Sequence, residues 1–171
     1  MSTKAILLEQ FDIAWSLATY HLNGLTTEEC LWAPAKRSIR LHQSEAGIWV
    51  ADWPSEETYN IGPASIGWTT WHMLFWWTNA VRSFNQEPPL GQQDIIWPGS
   101  AERARQEIEK LHRQWRELLL AKDDQELSLI QRNSWPIPES SGYRIVAWLN
   151  LELMKNAAEL GAMRFAYAVR N

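Results

Sequence analysis

The stretch Ser65-Ile66-Gly67-Trp68-Thr69-Thr70-Trp71-His72-Met73-Leu74-Phe75-Trp76-Trp77 decides the fold. Ser65 is a natural N-cap, the run that follows keeps helical character to about Gln86, and Pro88-Pro89 stops it. The helix is apolar nearly all round: Trp68, Trp76 and Met73 flank His72, and Trp71, Leu74 and Val81 lie opposite. A helix without a polar face is buried on every side, so it needs other helices around it.

Three further helical patterns supply that cover. The first runs from about Thr3 to Asn23, with Ile6, Ile13, Leu17 and Tyr20 on one face and Leu7, Phe11, Ala14 and Ala18 beside it. Asn23-Gly24 ends it, and Thr26 with Glu29 forms a capping box for a short helix that closes near Trp32. The third long pattern follows Pro98-Gly99-Ser100. Ala101, Ala104, Ile108, Leu111, Trp115 and Leu118 step by three or four against a charged opposite face. The last runs from about Ser141 to Val169 with Ile145, Leu149, Leu153, Leu160, Met163 and Tyr167 on one side. The expected architecture is all-α, a single domain over 1–171 built as an up-down four-helix bundle, with a long irregular crossover at 33–64 between the first two long helices. Pro34, Gly47, Pro54, Gly62 and Pro63 punctuate that crossover. Its Gly47–Trp53 stretch reads as a short strand or an extended cover strip, and the whole segment as lid-like.

Composition excludes several classes of function. The chain has 171 residues, a net charge of −4 and 12 Trp against 4 Phe and 4 Tyr. An acidic balance without a basic patch argues against nucleic-acid binding. The lone Cys30 rules out an internal disulfide and a cysteine metal cluster. Glu9 interrupts any signal-peptide core, and no apolar run matches a membrane span, so a cytoplasmic location is expected.

Polar residues on the core faces mark the candidate site. With Glu152 at zero on a helical projection, Asn156 falls at about 40° and Glu159 at about −20°, within the stripe of Ile145, Met163 and Leu149. Carboxylates placed there need a partner or a metal. On the second helix, His72 heads a polar line with Asn79, walled by Trp68 and Trp76. Imidazole and carboxylate on facing helices can hold a divalent metal such as Zn, Ni, Fe or Mn, with His72, Glu159, Asn156 and Glu152 as candidate ligands. The same residues also suit a hydrogen-bonded core: His72 as a satisfied histidine, Glu152 and Glu159 as partners of Arg82 or Arg164. His21, His42 and His112 read as solvated.

Taken together, Leu25-Thr26-Thr27-Glu28-Glu29-Cys30-Leu31-Trp32-Ala33-Pro34, Ser65-Ile66-Gly67-Trp68 with Trp71-His72, and Lys155-Asn156-Ala157-Ala158-Glu159-Leu160-Gly161 resemble the DinB/YfiT-like family of four-helix bundles over nearly the whole chain. The resemblance implies a bundle, often dimeric, with a divalent metal held by three histidines at one end. It also implies thiol transfer, thiol-dependent isomerisation or metal-dependent hydrolysis. His72 matches the ligand of the second helix. The last helix of the family carries His-x-x-x-His before Gly, and here Lys155 and Glu159 stand at those positions. The expected function is therefore a metal-dependent transferase or hydrolase acting on a small thiol or electrophile. The alternative is a metal-free bundle that binds a small ligand or is purely structural.

The fourth pattern also carries Ala147, Leu151, Met154, Ala158, Gly161 and Phe165 behind its core stripe. Those residues and the all-apolar second helix predict a homodimer through the second and fourth long helices, unless the 33–64 segment covers both faces itself.

Overall fold

The structure, a computed structural model, describes residues 2–56 and 58–170, so one crossover position, residue 57, falls outside the described residues. Four long helices carry it: α1 (Thr3–Leu22), α3 (Ile66–Phe84), α4 (Ala101–Ala121) and α6 (Gly142–Ala168). Two short ones, α2 (Thr27–Leu31) and α5 (Asp124–Ser128), sit at the joints. Each long helix begins on a serine whose hydroxyl accepts a backbone N–H three residues on: Ser2 from Ala5, Ser65 from Trp68, Ser100 from Arg103 and Ser141 from Arg144. The short helices begin on reciprocal capping boxes, Thr26 with Glu29 and Asp123 with Glu126. The helix positions expected from the sequence agree with the structure to within a residue or two.

The direction of the helices differs from simple alternation. Trp76 meets Asn156 and Trp148, while Trp68 and His72 meet Lys155 and Glu159, so α3 runs antiparallel to α6. Phe84 packs on Trp115 and Trp77 on His112, so α4 runs the same way as α3. On the other flank, Asn150 donates to the Leu7 carbonyl and Arg164 to that of His21, so α1 and α6 are parallel. The up-down order expected from the sequence is corrected on this point. The connection 85–100 doubles back along α3, with the Trp97 indole N–H bonded to Thr70 and that of Trp71 to the Ile95 carbonyl.

The return, the crossover and the loop before α6 together cover the outward face of α3. Trp71 and Leu74 are buried, Trp53 packs on Trp71 and Phe75, and Trp135 stands edge-on to Phe75. Among the described residues, no large hydrophobic side chain of α3 is exposed. On α1 the buried side is Phe11, Ala14, Ala18 and Leu22, whereas Ile6, Ile13 and Tyr20 face outward. The wheel could not choose between these faces, because both are apolar.

Within the crossover, β1 (Leu41–Gln43) pairs antiparallel with β2 (Trp49–Ala51), Leu41 opposite Ala51. The turn between them uses Gly47 at φ +75°, a backbone region open to glycine. The hairpin lies against the beginning of α3 through an Ile39–Ala64 bridge, with Asp52 bonded to Trp68 and Trp53 near His72.

Candidate functional site

The site forms where α3 begins. Gly67 is required there, because a Cβ would come 2.6 Å from the Cys30 carbonyl oxygen and 2.8 Å from Leu41. That close approach locks α2 and the hairpin onto the first turn of α3. One residue later, the Trp68 indole N–H donates to the Asp52 carbonyl at 2.7 Å. The Asp52 carboxylate is held in turn by the Arg40 N–H at 2.9 Å and by His42 Nδ1 at 3.1 Å. Asp52 is thus a positioning residue that the sequence reading missed. Its signal was the Asp-Trp-Pro triplet directly after the strand.

His72 stacks on Trp68, ring centroids 4.9 Å apart. Burial pushes its pKa down to about 4, the Lys155 ammonium adds to that, and the Asn156 side chain works the other way. The ring is therefore neutral at pH 7. Its Nδ1 is buried and has no hydrogen-bond partner among the described residues.

Facing it on α6, Asn156 is fully buried. Its Oδ1 accepts the Trp76 indole N–H at 2.8 Å, and its Nδ2 donates to Glu159 Oε2 at 2.8 Å. An indole N–H only donates, so Trp76 fixes which end of the amide faces which way. Lys155 Nζ pairs with Glu152 Oε2 at 2.7 Å.

A cavity of about 490 Å³ opens over these groups. Trp53, Pro54, Ile39 and Ile61 of the crossover form one wall, Trp68 and His72 of α3 another, and Lys155 and Glu159 of α6 the floor. A larger hollow of about 840 Å³ lies over the loop Thr58–Pro63, but its described lining has no ionisable group except Tyr59. The ionisable side chains His72, Lys155 and Glu159 line the smaller cavity.

Of the expected residues the structure brings His72, Glu159, Asn156 and Trp68 together, with Lys155 beside them, and the rest have other partners. Trp76 is buried behind Asn156 and does not line the cavity. Asn79 holds the returning connection, accepting the Leu90 N–H at 2.7 Å and donating to the Leu90 carbonyl at 3.2 Å. Trp53 takes the wall position in place of Trp76. His112 is not solvated as expected: it is sandwiched between Trp15 and Phe11, and burial pushes its pKa down to about 4.

This donor set does not fit a divalent ion. Among the described residues no three His, Cys, Asp or Glu side chains converge on one point. His72 and Glu159 offer two ligands. Glu152 is committed to Lys155, Asn156 spends its oxygen on Trp76, and an ammonium stands where a third ligand is needed.

The protein is thus a mostly helical one with an aromatic-walled cavity over a buried polar cluster. The family model of the DinB superfamily matches residues 10–160, and the chain belongs to that superfamily. No curated protein and no solved structure matches it. Among the described residues no helix is long and apolar enough to cross a membrane.

Proposed function

We propose that this DinB-superfamily chain is a four-helix-bundle protein that binds a small molecule in the cavity under Trp53, without using a metal. The observation that carries this reading is Lys155: its ammonium occupies the floor beside Glu159 and the neutral His72. A metal-activated thiol or water attacking an electrophile requires at least three protein ligands around the ion. The cavity instead suits a flat apolar body between indole walls, with a polar head reaching Lys155 and Glu159.

Titrating small aromatic acids and low-molecular-weight thiols against Trp fluorescence tests this. Saturable quenching is expected for at least one of them. Trp53→Ala and Lys155→Ala should each weaken it at least tenfold while leaving the circular dichroism spectrum unchanged. Quenching that survives both substitutions would put the ligand elsewhere and contradict the proposal.

A further inference from the structure

Lys155 and Glu159 stand one turn apart on α6 and both line the cavity, yet each bonds to a different neighbour. Lys155 Nζ turns to Glu152 Oε2 at 2.7 Å, and Glu159 Oε2 accepts the Asn156 side-chain N–H at 2.8 Å. Lysine placed four residues before glutamate is the weaker orientation for a helical ion pair, which favours these separate partners. Neither group is saturated by them. An ammonium has three N–H donors, and an ionised carboxylate has about four acceptor positions. Among the described residues Glu152 is the one ion-pair partner of Lys155, and Glu159 has none. Glu159 is also held from behind, because Asn156 is fully buried and fixed by the Trp76 indole. His72 is neutral at pH 7 and adds no charge. The floor thus offers one positive and one negative group a single helical turn apart, each with bonding capacity left.

We infer that the cavity takes a small aromatic zwitterion, of the class of a free aromatic α-amino acid, with its carboxylate on Lys155 and its ammonium on Glu159. This rests on the reading of the cavity as a ligand site that uses no metal. An α-amino acid carries both charges on one carbon, which matches two opposite charges one helical turn apart. A simple acid answers Lys155 but sets a like charge beside Glu159, and a simple amine answers Glu159 but leaves the free Lys155 donors unused. The zwitterion satisfies both, so its charges are complementary to the floor. Its ring lies against the indoles of Trp53 and Trp68, which are near-parallel with centroids 6.4 Å apart. Trp53 is 47% exposed, so apolar area remains there for a ligand to cover. The indole faces also favour an ammonium close by. A volume of about 490 Å³ lies within the range of small-molecule sites.

Isothermal titration calorimetry of the full chain at pH 7 with three probes tests this. Phenylalanine carries both charges, 3-phenylpropionate only the carboxylate, and 2-phenylethylamine only the ammonium. Phenylalanine should bind tightest, by roughly tenfold over either analogue, the effect of one charged hydrogen bond. Glu159→Gln should weaken phenylalanine and 2-phenylethylamine by about that factor and spare 3-phenylpropionate. Lys155→Met should weaken phenylalanine and 3-phenylpropionate and spare 2-phenylethylamine. That crossed pattern also separates the inference from misfolding, which would weaken all three probes together. Either analogue binding as tightly as phenylalanine overturns the zwitterion and leaves the cavity reading standing. So does an absence of heat from all three probes while another small molecule still quenches Trp fluorescence in a way that Trp53→Ala abolishes. Phenylalanine binding that ignores both substitutions places the zwitterion elsewhere and overturns the inference. If no probe binds and no quenching depends on Trp53, the inference and the cavity reading fail together.

Discussion

Trp76→Ala is expected to destabilise the protein by about 3–5 kcal/mol, the range for removing a fully buried large aromatic side chain. That is a large share of the roughly 5–15 kcal/mol that holds an ordinary domain folded. Trp76 is 1% exposed, stacks on Trp77 at 5.2 Å and stands edge-on to Trp148. Its loss leaves a cavity between α3 and α6 and also strips Asn156 Oδ1 of its indole donor. Trp76→Phe separates the two effects. The ring largely fills the space, so the expected cost falls to about 1–3 kcal/mol, that of an orphaned buried acceptor. With the indole gone, only the Glu159 carboxylate still orients the amide, and the hold on its NH2 is looser. Trp76→Phe should therefore also alter affinity at the cavity, although residue 76 does not line it. Urea unfolding of both variants checks the stabilities; equal losses for Ala and Phe would contradict the assigned roles.

The second large effect is on pH. His72 and His112 each have a folded pKa of about 4 against 6.5 unfolded, mainly through burial. Between those values the unfolded chain takes up protons that the folded chain refuses. Stability is therefore complete above about pH 6.5 and falls as pH drops toward 4, by about 1–2 kcal/mol per histidine at pH 5. Glu29 acts lower down. Burial works to raise its carboxyl, but the Thr26 N–H and Arg164 outweigh burial and hold it below 4.5, so its contribution is lost only in more acid solution. His112→Phe keeps the aromatic stack and removes one titrating group. It should flatten the pH 7 to pH 5 difference in urea midpoint by about half. A wild-type midpoint that does not move between pH 7 and pH 5 would contradict the buried, neutral state of both rings.

The helices were legible because their boundaries are written locally, in Ser65, Ser100, Ser141, the capping boxes and the prolines. The face of Asn156 and Glu159 was legible from the period of α6. What lay across from them was not, because periodicity says which residues share a face and not which helix that face meets. Asn156 thus looked like a metal ligand, whereas it is the partner of the Trp76 indole. Trp53 and Asp52 were hidden for a related reason: a hairpin reaches its site through tertiary placement, and no helical period announces it. The direction of α4 was beyond the sequence as well, since the 85–100 connection is long enough to return along α3 or to reverse beside it. Of the 12 Trp, Trp71, Trp76, Trp77, Trp97 and Trp115 are buried, Trp15, Trp49, Trp135 and Trp148 pack against the core, Trp32 meets Tyr167, and Trp53 and Trp68 wall the cavity.

Metal stoichiometry most directly tests the claim that Lys155 makes this cavity a ligand site and not a metal centre. Untagged wild-type protein and Lys155→His would each be loaded with zinc, nickel and manganese, dialysed, and assayed for bound metal per chain. The wild type should retain far less than one equivalent. Lys155→His, which replaces the ammonium with a third ligand beside His72 and Glu159, should retain close to one and lose it again when combined with His72→Ala. One equivalent held by the wild type and released by His72→Ala would contradict the account.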